Sequence, residues 1–459
     1  MAELANNLDV AIAPFFTPDE LDKLGKETKF IQREGKLTGS LFLDLIVFNS
    51  EDLKSQSLND LSIILNDRNG VKITKQSLHE RFNMYALYFL KDALEKLLQN
   101  QLEVGYELFG NIEGFNRILI KDSTCFQIDE SLSEYYPGSG GSGSGASVRI
   151  QFEYDILTGK INDLSVNAFN DQDAKDSVAT IDLTQQGDLI LRDLAYMSLE
   201  VLQQIKELLA FFVCRANPVV NIYEKKGDEY IKVNFIAAAN YMKRYNIERF
   251  EKEVYLGSKG KLKVRLILHL LPSEVVSKRL RKARENNKKK KRGELNKEFI
   301  ARAHLNLFIT NASEEQLPIS VIWPLYRLRW QIELIFKIWK SICKIDEVKR
   351  VKRHRLECYI YAKLILIVLG WHILWATAKQ LFAKENKALS FFKAAKSLLL
   401  RKISELRAVF LGDMEANSFL SKFYELSRTN HLLEKRGQAP TSLELLLESI
   451  TSSYLTCRK

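Results

Sequence analysis

The sequence is poor in the residues that build disulfide frameworks and structural metal sites. Its 459 residues include 5 cysteines and 6 histidines. The cysteines are scattered, odd in number and without a C-x-x-C spacing, and the histidines form no close pair at ligand spacing. A disulfide framework and a zinc site are therefore not expected, and a reducing cytoplasm fits. The first nine residues have no basic segment followed by an apolar run, so secretion is not indicated.

Long apolar runs are also scarce. One run of 17 residues extends from Tyr359 to Trp375, but it contains Lys363 and His372 and is short for a bilayer crossing. We predict a buried helix here, with a membrane helix as the alternative. No membrane partner is expected.

Positive charge is abundant and concentrated in one segment. The formal net charge is +11, and ten basic residues against one glutamate lie between Lys278 and Arg292. Such a balance favours a polyanionic partner. This segment could be a solvated loop or could make nonspecific contacts with the DNA backbone, and we favour the DNA contact. Its candidate DNA-binding residues are Lys288, Lys289, Lys290 and Arg292.

The first part of the chain, residues 1 to about 105, has apolar residues at helical spacing and is predicted to be mostly helical. A turn signal at 66–70 precedes a segment in which Thr74 can cap a helix presenting Lys75, Gln76, His79 and Arg81. A turn followed by a short polar helix is how a helix-turn-helix module contacts the major groove. We predict DNA contact here, with an ordinary solvated helix as the alternative.

The pattern changes at about residue 106, where short apolar strands begin. Strands are predicted at 117–120, 148–154, 161–169, 188–191 and 211–215, with a helix from Ser198 to Leu209. Two of these strands end in an aspartate, at Lys121-Asp122-Ser123 and at Arg192-Asp193. Residues 106–216 therefore indicate an α/β domain with a mixed sheet, and strand-terminal carboxylates are where such a sheet can hold a metal.

Three further regions follow. Residues 217–304 are predicted to be a β-rich insertion, with strands at 219–223, 230–235, 249–255 and 262–270 before the basic segment. Residues 305–350 return to the main sheet through a strand at Leu305–Thr310 and continue as a helix from about Pro318 to Lys344. Residues 351–459 are predicted to be helical.

A Gly/Ser run, residues 138–145, lies between two predicted strands of the α/β domain. Its composition is that of a flexible spacer. Glycines beside a metal site also let backbone approach phosphates closely. We favour a mobile loop at the edge of the active site and keep the inert spacer as the alternative.

Three carboxylates, Asp122, Asp193 and Glu333, have the form needed for metal-assisted phosphoryl transfer. Taken singly, a strand-terminal aspartate is more often a turn or capping residue. Together they supply the hard oxygen ligands that hold two Mg²⁺ ions, one activating the attacking oxygen and one stabilising the leaving oxygen. No histidine, cysteine or lysine nucleophile is needed.

The predicted helix around Glu333 gives the strongest signal. At about 100° per residue, Tyr326, Arg329, Glu333 and Lys340 fall within an arc of about 60°, with Lys337 on the same side. The opposite side is apolar and can dock on a sheet. A solvated polar face is the alternative, but an acid flanked by cations suits a metal ligand surrounded by phosphate contacts.

The residues at 326, 329, 333 and 340 resemble the Y-R-E-K motif of the bacterial insertion-sequence family 4 transposases. Asp193-Leu194-Ala195-Tyr196 is similar to the family's second-aspartate motif, Asp-x-Gly-Tyr, with alanine where glycine is usual. Lys121-Asp122-Ser123-Thr124 resembles the first-aspartate motif, and the PGSGGSGSGAS segment is similar to one in family members. The resemblance covers nearly the whole chain and is weakest at its two ends.

The resemblance implies a ribonuclease-H-like core, interrupted by a β-rich insertion and flanked by helical N- and C-terminal regions. It implies that Asp122, Asp193 and Glu333 bind two Mg²⁺ ions, with Mn²⁺ as a substitute, and that Tyr326, Arg329 and Lys340 grip phosphates at the cleaved end. The implied activity is cut-and-paste transposition, through a hairpin intermediate, on double-stranded terminal repeats and target DNA. A homodimer in the synapse, joined through the C-terminal helices of residues 351–459, and a cytoplasmic, nucleoid-associated location follow from the resemblance as well. A flipped base commonly stacks on an aromatic side chain, for which Trp323 and Trp330 are the candidates.

Two other classes remain open on the sequence alone. One is a DNA-binding relative without catalysis, decayed or domesticated. The other is a nuclease on the same fold, which would share the metal site but have no need of end-specific binding or strand transfer.

Overall fold

The computed structural model describes residues 17–50, 52–99, 101, 115–139, 144–216, 220–257 and 262–434. The chain divides into two compact units. The first unit comprises residues 1–108, 123–171 and 331–438, and the second comprises residues 109–122, 172–330 and 439–459.

The secondary structure alternates between helical and mixed α/β stretches. The described helices are α1 (Pro18–Glu27), α2 (Gly39–Val47), α3 (Leu58–Asn69), α4 (Lys75–Arg81), α5 (Met84–Gln99), α6 (Asp173–Ala179), α7 (Leu199–Glu207), α8 (Phe235–Arg244), α9 (Ser273–Lys289), α10 (Lys297–Ala303), α11 (Ile319–Leu328), α12 (Gln331–Ser341), α13 (Arg353–Glu385), α14 (Phe391–Arg401), α15 (Ile403–Phe410) and α16 (Ala416–Asn430). The described strands are β1 (Arg117–Gln127), β2 (Ser147–Asp155), β3 (Ile161–Ala168), β4 (Asp188–Arg192), β5 (Phe211–Arg215), β6 (Ile222–Lys226), β7 (Glu229–Lys232), β8 (Arg249–Leu256), β9 (Leu262–Leu270) and β10 (Leu305–Thr310).

The first unit is organised around α13. This helix is long and apolar enough to cross a membrane by length and composition, but 94% of its most apolar window is buried inside the protein. It packs against α2, α5, α14 and α16. The prediction of a buried helix for the apolar run at 359–375 is therefore confirmed, and the all-round apolar surface reflects a helix that is enclosed on all sides.

An aromatic cluster joins α13 to the hairpin of β2 and β3. The ring of Trp371 lies edge-on to those of Phe152 and Tyr154, with centroids 5.7 and 5.3 Å away. Its Nε1 donates a hydrogen bond of 2.7 Å to the carbonyl oxygen of Gly159 in the hairpin turn. Gly159 has φ of +75°, and a Cβ atom there would lie 2.4 Å from Cδ2 of Trp375. The turn therefore requires glycine for both its backbone conformation and the close approach of the helix.

The amino-terminal helices follow the signals in the sequence. The hydroxyl of Thr74 accepts a hydrogen bond of 3.1 Å from the backbone N–H of Ser77, so the predicted cap of α4 is confirmed. Gly70 ends α3 in the left-handed region, with φ of +67°. A buried ion pair ties α2 to α15, because Arg407 donates to both carboxylate oxygens of Asp44 at 2.6 and 2.7 Å.

The second unit is built on a mixed sheet in the order β1-β4-β5-β10-β9-β8-β6-β7, and in the first unit β2 lies between β3 and β1. Strand β1 runs through the boundary between the two sequence ranges. It pairs in parallel with β4, and β4 pairs in parallel with β5, whereas β10 is antiparallel to both of its neighbours. The predicted α/β class and the return to the sheet at Leu305–Thr310 are confirmed.

Several local predictions were wrong. Strand β1 does not end at Ile120 but continues to Gln127, so Asp122 lies inside a strand. The insertion contains the unpredicted helix α8, and the first two predicted strands are shifted to Ile222–Lys226 and Glu229–Lys232. Much of the basic segment, for which the sequence predicts no element, forms α9, because its straight-chain lysines and arginines favour a helix.

The predicted continuous helix from Pro318 to Lys344 is two helices, α11 and α12. The backbone forms a tight turn where α11 ends. The N–H groups of Arg329 and Trp330 donate hydrogen bonds to the carbonyl oxygens three residues earlier, of Tyr326 and Arg327, at 3.2 and 3.1 Å. The arc of about 60° predicted for 326, 329, 333 and 340 assumed unbroken helical geometry, so it does not hold.

Substitution of Gly159 by alanine tests the turn against α13. We expect the free energy of unfolding to fall by roughly 3 kcal/mol, because the new methyl group meets a buried ring and the backbone is held at positive φ. Calorimetric or urea unfolding measures the loss. Gly412 in the same unit has φ of +79°, and a Cβ atom added there would have no other atom within 4 Å, so Gly412→Ala should cost only about 1 kcal/mol. Equal losses in the two variants would contradict the packing argument.

His372 predicts a pH dependence of stability. It is buried in α13, neither ring nitrogen has a hydrogen-bond partner among the described residues, and desolvation lowers its pKa from 6.5 to about 4. Because the pKa is lower in the folded protein than in the unfolded chain, the unfolded chain takes up the proton first as the pH falls. The free energy of unfolding is therefore highest above pH 6.5 and falls by about 3 kcal/mol as the pH approaches 4. Unfolding followed at several pH values should show this loss, and His372→Leu should reduce it. If the free energy of unfolding of the variant depends on pH as steeply as that of the unmodified protein, His372 is not the cause of the pH dependence.

Candidate active site

Two of the three predicted carboxylates lie side by side on the sheet of the second unit. In the parallel register of β1 and β4, Lys121 is opposite Arg192. Asp122 and Asp193 each occupy the next position along their chains, Asp122 still within β1 and Asp193 directly after β4. Adjacent parallel strands are about 4.8 Å apart, so the two aspartates share one edge of the pair and one face of the sheet.

Asp122 is paired with Arg329. The Nη1 atom of Arg329 donates to Oδ2 of Asp122 at 2.8 Å, and both side chains are largely shielded from water. The first-aspartate residue and the arginine of the Y-R-E-K set are thus in direct contact. A shielded pair of this kind is stronger than an exposed one, since the surrounding dielectric is lower.

Tyr326 is buried beside these groups. The centroid of its ring is 5.0 Å from that of Phe308, and the guanidinium carbons of Arg215 and Arg329 are each 5.9 Å from its ring centre. Burial raises the pKa of Tyr326 to about 12, with Arg329 acting in the opposite direction and Asp193 adding to the rise. Its hydroxyl has no hydrogen-bond partner among the described residues. The hydroxyl is therefore a neutral group with an unused hydrogen bond next to the aspartates.

The opposite face of the same strands carries two buried cations that the sequence analysis missed. Lys121 and Arg192 are 0% and 1% exposed. Lys121 Nζ lies 2.6 Å from Oδ2 of Asp176 in α6, and Arg192 Nη1 donates to the hydroxyl of Ser177 at 3.1 Å. The available signal was the cation immediately before each aspartate in the sequence, because alternation along a strand sends the two side chains to opposite faces.

The remaining residues of the predicted motif lie in the first unit. Glu333 is half-buried in the first turn of α12. Lys337 is exposed, with its Nζ 5.5 Å from the ring centre of Phe392, and Lys340 Nζ donates to the carbonyl oxygen of Cys125 at 3.1 Å. In the described ranges, no three or more His, Cys, Asp or Glu side chains are grouped so as to hold a metal ion.

The two candidate stacking residues differ in their surroundings. Trp323 packs against Phe308 and His269, with ring centroids 5.7 and 5.5 Å away. Trp330, in the tight turn after α11, is 61% exposed. Only the latter presents a large open ring face.

The basic segment presents most of its charge to solvent. The four candidate DNA-binding residues are exposed at the end of α9 and just after it: Lys288, Lys289, Lys290 and Arg292. Arg279, the second residue of the segment, instead donates to the side chain of Asn306 at 2.7 Å and to the carbonyl oxygen of Leu305 at 3.3 Å. That cation anchors α9 to β10 and is not presented to a partner.

The Gly/Ser run is described at its two ends, and residues 140–143 lie outside the described residues. The N–H of Gly138 donates to the carbonyl oxygen of Gly145 at 2.7 Å, and Ser144 Oγ donates to the carbonyl oxygen of Ile128 at 2.8 Å. The ends of the run are thus held together like the base of a hairpin.

Comparison with known proteins identifies the family. A family model described as "Transposase DDE domain" matches residues 113–369. The transposase for insertion sequence element IS231F of Bacillus thuringiensis subsp. israelensis is 32% identical, over 97% of this chain and 95% of the relative. The transposase for insertion sequence element IS1151 of Clostridium perfringens is 30% identical, over 96% of this chain and 95% of the relative. The chain therefore belongs to the DDE transposases of insertion sequences.

Proposed function

We propose that this chain is a cut-and-paste transposase, which cleaves the ends of its element by Mg²⁺-dependent phosphoryl transfer and joins the 3′-hydroxyl ends to target DNA. The observation that carries the proposal is the neighbouring position of Asp122 and Asp193 on parallel strands of a DDE-family chain. Cleavage through a hairpin intermediate belongs to the same proposal, since it is implied by the Y-R-E-K set.

A ribonuclease-H-like core is part of this proposal. Its support is the parallel run of β1, β4 and β5 in the second unit and, in the first unit, the antiparallel pairing of β2 with β3. The β-rich insertion then separates β5 from β10 in sequence, although the two strands pair. On this view, residues 217–304 were added to a smaller core without breaking its sheet.

Asp122, Asp193 and Glu333 are the proposed ligands of two Mg²⁺ ions, with Mn²⁺ as a substitute. The donor set fits, because carboxylate oxygens are the ligands that these hard cations prefer. Such a metal pair would activate the attacking oxygen and stabilise the leaving oxygen. The chain's own part is to hold Asp122 and Asp193 close together, and Arg329 compensates the charge of Asp122.

DNA would be held by several groups of different kinds. Arg329 and Tyr326 offer a guanidinium and a neutral hydroxyl beside the aspartates, both suited to a phosphate oxygen. Lys337 and Lys340 would add charge from α12, and the exposed ring of Trp330 is the better candidate for stacking on a flipped base.

Further contacts would lie away from the chemistry. The exposed end of α9 supplies a dense positive surface for the DNA backbone. Helix α4, capped by Thr74, exposes Lys75 and Gln76 and would contact the terminal repeats. A homodimer joined through the C-terminal helices, acting in the bacterial cytoplasm at the nucleoid, completes the proposal.

Neutralising the three carboxylates one at a time tests the chemistry. Asp122→Asn, Asp193→Asn and Glu333→Gln should each abolish Mg²⁺-dependent nicking of terminal-repeat DNA, a loss of at least about 1000-fold, because each removes a charged oxygen ligand. Binding of the same DNA should persist. Gel assays of cleavage and of binding measure the two effects.

The matched control is Asp228→Asn, which removes an exposed carboxylate from the turn between β6 and β7 and should leave cleavage unchanged. Binding without nicking by the unmodified protein would mean an inactive relative. Nicking that ignores the end sequence and yields no joined product would mean a nuclease. Full cleavage by Glu333→Gln would remove Glu333 from the ligand set.

Charge removal at the end of α9 tests the backbone contact. The double variant Lys289→Gln/Lys290→Gln should bind DNA more weakly and should reduce the slope of log K against log salt by roughly 2, since each lost phosphate contact releases about 0.9 fewer counterions. Fluorescence anisotropy between low and moderate salt measures the slope. Lys206→Gln/Lys226→Gln removes the same charge from exposed positions on α7 and β6, outside every proposed contact, and should change the slope little. Equal slopes in the two double variants would contradict the assignment.

A further inference from the structure

Lys121 and Arg192 are unusual in being cations within the core. They occupy facing positions on β1 and β4 and are 0% and 1% exposed. Burying a cation is costly unless it is paired and hydrogen-bonded. The protein places two such groups at one point of the sheet, immediately before Asp122 and Asp193, so their contacts bear on how those aspartates are held.

Both cations are bound by the same short segment, α6 and its C-cap residue Thr180. Lys121 Nζ lies 2.6 Å from Oδ2 of Asp176 and 3.0 Å from the hydroxyl oxygen of Thr180. Arg192 Nη1 donates to Ser177 Oγ at 3.1 Å. One segment thus contacts both β1 and β4 on the face of the sheet opposite the aspartates. It holds the two strands in place relative to each other at the point where β4 ends.

The same element also supports the chain after the second aspartate. A 3₁₀ turn, Leu194–Tyr196, follows Asp193, and α6 packs against it. The backbone on both sides of Asp193 is therefore held, by Arg192 before it and by this turn after it. Free rotation of the strand end would otherwise move Asp193 away from Asp122, because two neighbouring carboxylates repel.

We propose that α6 is a positioning element of the active site, in which Asp176, through Lys121, and Ser177, through Arg192, hold Asp122 and Asp193 at the separation that metal binding needs. The proposal rests on the proposed function in taking the two aspartates as metal ligands. Lys121, Arg192, Asp176 and Ser177 act through the aspartates and touch no substrate. Groups that orient metal ligands from behind typically alter metal affinity 10–100-fold when they are removed.

The same pair of strands contains a natural control. Arg117 and Asp188 face each other at the other end of β1 and β4, and Arg117 donates to the carboxylate at 2.8 and 2.6 Å. This ion pair is also shielded, joins the same strands and lies four positions away from Lys121 and Arg192. Its loss should destabilise the sheet without moving the aspartates.

The experiment compares Asp176→Asn with Asp188→Asn in the full-length protein. Binding of Mn²⁺ alone is measured by the electron paramagnetic resonance signal of the free ion, and thermal unfolding is measured on the same samples. We expect Asp176→Asn to weaken Mn²⁺ binding by about 10-fold or more and to raise the Mg²⁺ concentration needed for half-maximal nicking. Asp188→Asn should lower the unfolding temperature and leave Mn²⁺ binding unchanged. Asp176→Glu, which keeps the charge, should recover much of the affinity.

Equal Mn²⁺ affinity in Asp176→Asn and the unmodified protein would overturn the proposal, as would an equal loss of affinity in the two asparagine variants. If Asp176→Asn does not fold, Thr180→Val decides, because it removes one bond to Lys121 with little change of volume and should still weaken Mn²⁺ binding several-fold. Asp122→Asn separates this proposal from the proposed function. Unchanged Mn²⁺ binding in Asp122→Asn would refute the metal site itself, whereas lost binding there with normal binding in Asp176→Asn refutes only the positioning role.

Discussion

The parallel pairing of β1 and β4 is the constraint on which the candidate site depends. Because Lys121 is opposite Arg192, the following residues of both strands are neighbours as well. A shift of one residue would turn Asp193 to the other face of the sheet and bring a buried arginine to the site. The apolar positions Ile118–Ile120 and Leu189–Leu191, all fully buried, make such a shift costly, so the register is fixed by the core rather than by the aspartates.

Charge is balanced on both faces of this strand pair. On one face the carboxylate of Asp122 accepts a hydrogen bond from Arg329, and on the other Lys121 forms an ion pair with Asp176. Buried charge is tolerated where each group has a partner. The positive charge of the chain thus lies in two kinds of place, paired with carboxylates inside the protein and exposed at the end of α9.

Signals that are local in the sequence predicted structure well, and those that depend on tertiary contact did not. The cap at Thr74 and the bounds of β10 follow from side chains within a few residues, and both are confirmed. The polar Lys121-Asp122-Ser123-Thr124 segment has the composition of a strand end, but β1 continues through it to Gln127, beyond the last residue that pairs with β4. Periodicity likewise could not reveal the tightened turn at Arg329, since the residues on either side of it are good helix formers.

The candidate site was predictable in its residue types but not in its contacts. Asp122, Asp193 and the Y-R-E-K residues were named from motif and spacing, and their roles stay predictions. Lys121 and Arg192 were overlooked because cations are expected at the surface, and only the position of α6 gives them a reason to be buried. The partner of Arg329 was likewise out of reach, since 207 residues separate it from Asp122.

The place of β10 in the sheet has a consequence for folding during synthesis. This strand, Leu305–Thr310, lies between β5 and β9, so β5 keeps an open edge until the ribosome has made the whole insertion. Pairing of β5 with β10 closes a loop of about 90 residues, and such long-range pairing is slow. Nascent chains that stop before residue 305 would expose the edge of β5, which is a template for aggregation. A truncated product of this gene would therefore be removed from the soluble pool rather than persist as a partial sheet with both aspartates in place.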